Sequence, residues 1–279
     1  MIGCMTVTAT TDSDYIAVLL DRRLASDPVR ATVLGTILAE LRAGRTDETW
    51  CAQREGTDAL VVRSGRPYPA LFTAGWDGTD LASAIELVGG LPELAGVSGP
   101  AATVEVAAAA LAGQRGQRRI GMRLFRLDEL IEPDPVVGEP RAATSAERDL
   151  IADWYRAFGA EAGTLGANLE QAADQALNTG RVWLWCLDGH PVSLAGRRGP
   201  EAGSARVGPV YTPPAERGHG YGSAVTAVAT RDILDLGAIP ALFTDLANPT
   251  SNKIYQALGY YPVEDRLQVM FEPPGRSAP

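Results

Sequence analysis

Between an apolar run, Val207-Gly208-Pro209-Val210-Tyr211, and a helical pattern from Ser223 to Leu236, the chain inserts Arg217-Gly218-His219-Gly220-Tyr221-Gly222. No other stretch narrows the fold as far. Glycines let consecutive main-chain N–H groups converge on one anion without a Cβ in the way. The helix that opens next aims the positive end of its dipole at the same point, and Arg217 adds a permanent charge at the rim. The spacing Gly218-x-Gly220-x-Gly222 differs from the GxGxxG of dinucleotide sites, and no Lys-Ser or Lys-Thr follows as in a nucleoside-triphosphate loop. A plain glycine-rich turn capping a helix would carry the same residues, so the surrounding order of elements has to decide.

That order occurs twice. In the first half, helices are expected over Asp12–Leu24 and Pro28–Leu41, then strands at Thr49–Arg54, Ala59–Arg63 and Ala70–Ala74. A helix at Leu81–Val88, a strand near Leu94–Val97, a helix over Ala101–Leu111 and a strand at Arg119–Leu127 complete it. Glu132-Pro133-Asp134-Pro135 reads as a linker, because proline stiffens the chain and no apolar period crosses it. Beyond it come a strand near Val136–Ala142 and helices at Ser145–Ala157 and Leu165–Leu177. Strands follow at Val182–Leu187, Val192–Arg197 and Ala205–Tyr211, then the helix Ser223–Leu236, the strand Ala241–Thr244, the helix Pro249–Leu258 and the strand Arg266–Phe271. Ser145 has no Glu or Gln three residues on, so it makes only half a capping box. The expectation is an α/β (α+β) chain of two tandem domains, 1–132 and 133–279, each a mixed, mostly antiparallel sheet flanked by helices.

The second half resembles the GCN5-related N-acetyltransferase (GNAT) superfamily. Arg217-x-x-Gly220-x-Gly222 matches its phosphate-loop pattern between the fourth strand and third helix, and Asn248-Pro-Thr-Ser-Asn-Lys-Ile-Tyr255-Gln-Ala-Leu-Gly259-Tyr260 matches its second element. The resemblance covers about Val136 to Pro273 and implies transfer of an acyl group, by default acetyl from acetyl-CoA, to an amine by direct attack. It implies a cofactor loop of Arg217, Gly218, His219, Gly220, Tyr221, Gly222 and Ser223. It also implies main-chain pairing of pantetheine by Val210, Tyr211 and Thr212 along a strand bulged at Gly208-Pro209, and proton donation to the departing thiolate by Tyr255. Asn248 either lies near the pantetheine or caps the helix from Pro249, and Tyr255 either donates a proton or only packs beside Ile254 and Leu258.

A lysine-like amine is neutral in about one molecule per thousand at pH 7, so a base must remove a proton. Glu161 is the candidate base, with Glu170 and Asp245 behind it, each also readable as a solvated surface carboxylate. Tyr211 faces either the acceptor or the core. A phenol is a weaker acid than a thiol, by about 2 kcal/mol of transfer, so hydrogen bonding or late transfer is expected of Tyr255.

The first half lacks the Arg-x-x-Gly-x-Gly spacing. Its counterpart, Phe72-Thr73-Ala74-Gly75-Trp76-Asp77-Gly78-Thr79-Asp80, brings two carboxylates to where a phosphate would sit, so this half is expected to bind no coenzyme A. The net charge of −9 disfavours a nucleic-acid partner. Cys4, Cys51 and Cys186 suit neither a disulfide framework nor a zinc site, and no metal is expected. No apolar run is long enough to span a bilayer, and Met1–Thr11 lacks the pattern of an export signal, so no membrane contact and a cytoplasmic setting are expected. The expected partner is a small-molecule or peptide amine, with a homodimer among the open arrangements. A second reading is a non-catalytic acyl-CoA sensor or partner-binding protein that keeps the fold.

Overall fold

The computed structural model describes residues 6–46, 48–163 and 169–272. Contacts divide the chain into one unit of Met1–Leu124 with Val263–Pro279, and a second of Phe125–Pro262.

In the first unit β1 (Val7–Thr10) precedes α1 (Ser13–Ser26) and α2 (Thr32–Arg42). Then come β2 (Thr49–Arg54), β3 (Leu60–Ser64), β4 (Ala70–Phe72), α3 (Gly78–Gly89), β5 (Gly96–Pro100), α4 (Ala101–Leu111) and β6 (Gln117–Arg126). Asp12 caps α1 by accepting the Tyr15 N–H at 2.9 Å. Ile16, Leu19, Leu20 and Leu24 recur at helical spacing and bury one stripe against Leu60, Val62 and Leu71, each side chain contributing about 1.5–3 kcal/mol. The strand β1 pairs antiparallel with β2 and lay outside the expected elements, because its four residues alternate no more clearly than a loop does.

The expected boundaries, 1–132 and 133–279, differ from this division chiefly at the C-terminus. The last strand, β12 (Tyr261–Phe271), pairs antiparallel with β5, from Arg266 opposite Pro100 to Met270 opposite Gly96. A Cβ on Gly96 would collide with the Val269 carbonyl, and one on Gly99 with the Phe72 carbonyl, so the two glycines admit backbone on both sides of β5. The pattern of β12 announces a strand but not which sheet receives it.

The second unit runs β7 (Glu139–Ala142), α5 (Arg148–Ala162), α6 (Leu169–Asn178), β8 (Val182–Leu187), β9 (His190–Glu201), β10 (Ser204–Tyr211), α7 (Tyr221–Asp235), β11 (Ile239–Asp245) and α8 (Pro249–Ala257). The start of the expected Leu165–Leu177 helix lies outside the described residues. The sheet order is β11-β10-β9-β8-β7, parallel between β10 and β11 and antiparallel in β10–β9, β9–β8 and β8–β7. Helices α5 and α6 cover one face through Ile151, Tyr155, Leu184, Leu194 and Tyr211. The other face packs Ala195, Ala205, Val207 and Leu242 against Val225, Ala229, Ile233 and Leu258. The cap of the α5 segment begins one residue before Ser145. Thr144 and Glu147 form the capping box, the Glu147 carboxylate taking the Thr144 N–H at 2.7 Å. Hydrogen bonding by Arg141, foremost, and by Thr144 holds that carboxyl down at about 2. Among the described residues no helix is long and apolar enough to cross a membrane.

Candidate functional site

The site begins where two parallel strands part. β10 and β11 pair only from Ser204–Arg206 to Ile239–Ala241, and the ladder stops there. On its other edge β10 is bulged: Val207 lies opposite Arg197 but Val210 opposite Ala195, so Gly208-Pro209 carries the extra residue. Proline cannot donate to a ladder and the bulge bends its strand, which turns the end of β10 away from β11. Ser193 Oγ donates to the Tyr211 carbonyl at 3.1 Å. Main-chain groups alternate sides along a strand, so those of Val210 are directed into the gap beside β11.

The glycine loop lies at the end of that strand. Pro214–Glu216 form one tight turn, Gly218 and Gly220 take φ of 86° and 82°, and α7 starts at Tyr221. The first intrahelical bond runs from Ala224 N–H to Gly220 C=O at 3.1 Å. Among the described residues no hydrogen bond engages the main-chain N–H groups of Gly218 through Ser223. They form an open cradle of donors at a positive helix end. A Cβ at Gly220 would stand 2.7 Å from Val136 Cγ1, one at Gly222 3.4 Å from Thr212 Oγ1, and one at Gly218 would meet nothing within 4 Å. His219 is exposed, and its ring stacks on Tyr221 at 5.4 Å.

Arg217 spans the rim. Its Nε donates to the Thr212 carbonyl at 2.9 Å, and one terminal nitrogen donates to both Glu161 oxygens at 2.8 Å. Glu161, the candidate base, is therefore engaged by the loop's own cation, with both side chains about half exposed. Glu170 lies 3.6 Å from Arg148, and Asp245 accepts the Ala247 N–H at 2.7 Å. The Tyr211 ring packs into the α5 and α6 core, 6.0 Å from Trp154, and its carbonyl is turned to Ser193 on β9, so neither its side chain nor its carbonyl faces the gap. Asn248 caps α8 by accepting the Ser251 N–H at 3.0 Å. Tyr255 packs edge-on to Tyr260 at 6.1 Å. Burial pushes its phenol up to about 12, and among the described residues its hydroxyl has no hydrogen-bond partner.

Residues 187–269 match the FR47-like protein family. No curated protein is significantly similar in sequence. Among solved structures, a Drosophila protein superposes with a TM-score of 0.69 at 12% identity, over 96% of this chain and 99% of that one. A GCN5-related N-acetyltransferase from Sphaerobacter thermophilus gives 0.63 at 15% identity, over 98% of each chain. A tandem GNAT protein from the clavulanic acid biosynthesis pathway gives 0.54 at 12% identity, over 98% of this chain and 100% of that one. The chain is a tandem GNAT-fold protein.

Its first GNAT-like unit has the same loop position, filled differently. Arg54 Nε lies 2.8 Å from Asp80 and its NH2 3.4 Å from Asp77, while NH1 donates to the Gly75 carbonyl at 2.9 Å. Carboxylates and an arginine of the chain itself thus stand at the start of α3. The strands do not open there either: Ala70 and Leu71 pair with Val97 and Ser98, and Gly99 lies against the Phe72 carbonyl.

In the second unit three residues escaped the sequence reading. Asn252 Nδ2 donates to the carbonyls of Asp245, at 3.0 Å, and Asn248, at 2.7 Å, tying the end of β11 to α8. Ser193, fully buried, also meets Thr212 Oγ1 at 2.8 Å. Tyr155 is 2% exposed on α5 and faces the bulge. Of these, only Asn252 lay inside a quoted motif. Among the described residues no cluster suited to a metal ion occurs. Burial raises the Cys51 thiol to about 12 and raises Cys186 as well, so neither offers a thiolate.

Proposed function

We propose that the second unit is an acyl-CoA-dependent N-acyltransferase that moves an acetyl group from acetyl-CoA to an amine by direct attack. The observation that carries it is the conjunction of an opened β10–β11 pair with a run of unengaged N–H donors at the start of α7. A diphosphate joined to an extended amide-bearing arm fits that conjunction: the donors of Gly218 to Ser223 suit the anion, and the main chain of Val210 and Thr212 suits the arm. When bound, the thioester supplies an activated acyl carbon. Tyr255 stays protonated at neutral pH, so its hydroxyl donates a hydrogen bond to the departing sulfur rather than ionising first. Glu161, held by Arg217, fits a guard of the loop better than a base.

The same ion pair favours a second reading, an acyl-CoA-binding protein without chemistry. Calorimetry with acetyl-CoA, followed by free-thiol release across a panel of amines, separates the two. Under the leading reading one site per chain binds, thiol is released, and Tyr255→Phe lowers kcat tenfold or more with little change in acetyl-CoA affinity. Binding without thiol release from any amine would leave the second reading standing, and no binding would remove both.

A further inference from the structure

In the first unit β1 has an open edge beside a groove. Among the described residues β1 pairs with β2 alone, Val7 opposite Arg54 and Thr10 opposite Cys51. The Glu55 N–H donates to the Thr6 carbonyl at 3.1 Å. Antiparallel bonding alternates, so Thr8 and Thr10 bond β2 while the N–H and C=O groups of Val7 and Ala9 face outward. Sheets ordinarily blunt such an edge with charged residues, proline or a bulge. The outer strand of the second unit, β7, carries Glu139, Pro140 and Arg141, whereas Val7-Thr8-Ala9-Thr10 holds no charge and no proline and pairs without a shift of register. On the α3 side of this edge lies a groove of about 530 Å³, with Val7, Trp50, Leu87 and Leu91 among its walls. Glu86 lines it too, in the last turn of α3, where the helix dipole disfavours a carboxylate and no basic residue answers it. Among the described residues Glu86 makes no ion pair. Arg63, opposite Trp50 on β3, is buried and donates to the Pro92 carbonyl at 2.8 Å. At the other end of α3, Asp77 and Asp80 share one arginine, Arg54.

We propose that this edge and groove dock an extended segment of another protein, which adds a strand to β1 and sets a lysine or arginine, flanked by apolar side chains, against Glu86. The outward donors and acceptors of Val7 and Ala9 pair with the main chain of the segment, and the groove selects its side chains. Successive side chains of a strand point to opposite faces, so every second one enters the groove. Apolar ones meet Trp50 and Leu87, and a cation among them meets the carboxylate that α3 leaves unanswered. The opposite face of β1 is polar, with Gln53 Nε2 donating to Thr8 Oγ1 at 3.4 Å and to Tyr15 Oη at 2.7 Å, so polar residues suit the alternate positions. A second copy of this chain fits worse, because its own β1 brings no basic residue to Glu86 and its α3 brings another carboxylate. The site belongs to the unit without the phosphate loop and does not depend on the acyltransferase reading.

The test uses the full chain and the terminally blocked peptide Leu-Thr-Lys-Thr-Leu, beside one version with Glu for Lys and one with an N-methylated main chain. Calorimetry reads the affinity and amide hydrogen exchange reads the location. The expected result is one peptide per chain, with exchange slowed at the Val7 and Ala9 amides. The Glu version binds about fivefold more weakly at low salt, Glu86→Lys reverses that preference, and both differences fade toward about 1 M salt. The N-methylated version does not bind. Ala9→Pro removes one outward donor and spares the bonds of Thr8 and Thr10 to β2, so peptide affinity falls about tenfold while the thermal midpoint stays near wild type. Should Ala9→Pro fail to fold, Glu86→Lys and the N-methylated peptide decide by themselves. No saturable binding, binding without slowed exchange at Val7 and Ala9, or indifference to Glu86→Lys overturns the proposal. So does slowed exchange at those amides before any peptide is added. If it grows with protein concentration the edge belongs to a second copy, and if it does not, to the chain's own residues 1–5.

Discussion

Replacing Gly220 by alanine perturbs the loop in two separable ways. Gly220 sits at φ 82°, where an L residue pays about 1–2 kcal/mol. Its new Cβ would also stand 2.7 Å from Val136 Cγ1, inside van der Waals contact, an overpacking worth about 1–3 kcal/mol. Gly218→Ala, at φ 86° with open space around its Cβ, carries only the first cost. Urea unfolding should therefore rank Gly220→Ala at about 2–5 kcal/mol of destabilisation and Gly218→Ala at about 1–2 kcal/mol. Adding Val136→Ala should relieve the packing cost but not the backbone one, giving a favourable coupling of about 1 kcal/mol or more in a double-mutant cycle. Acetyl-CoA binding by calorimetry should weaken in the same order, from wild type to Gly218→Ala to Gly220→Ala, because both costs displace the N–H donors. Equal costs at the two glycines, or no coupling to Val136, would refute the reasoning.

Two further outcomes follow from charge. Glu161→Gln frees Arg217, and since a half-exposed pair is worth about 0.2–1 kcal/mol, acetyl-CoA should bind up to about fivefold more tightly at low salt and less so at high salt. Weaker binding would make Glu161 a contributor to the site rather than a competitor for Arg217. Glu147 is held below its ordinary 4.5, at about 2, so its stabilising effect is fully present above 4.5 and is lost as pH falls toward 2. Urea midpoints of Glu147→Gln should lie below wild type at pH 7 and converge with it across that window; a gap unchanged from pH 6 to pH 3 would count against the capping-box account.

What the sequence discloses here is whatever one segment can encode alone. The glycines of the loop, the Gly208-Pro209 bulge and the Asn248 cap each depend on a few adjacent residues, and periodicity located most helices and strands. The box at Thr144 and Glu147 was equally local but was sought one residue too late. Contacts between distant segments are another matter. Nothing in Tyr155 distinguishes a core tyrosine from one whose hydroxyl lies against Gly196 of β9 and the bulge of β10, contacts reached only through the fold. Glu161 carries no mark of its pairing with Arg217, a partner reached only through the fold. The destination of β12 depends on bare backbone at Gly96 and Gly99, glycines that resemble any other pair in so glycine-rich a chain.

That destination has a consequence in time. During synthesis the chain emerges in order, and β5 must wait for Arg266–Met270 before its outer edge is covered. An uncovered strand edge is a template for foreign pairing, and a partner so distant in the chain closes slowly. The first unit is thus closed by a segment made only after the whole of the second, and a ribosome that stops before it leaves the β5 edge uncovered.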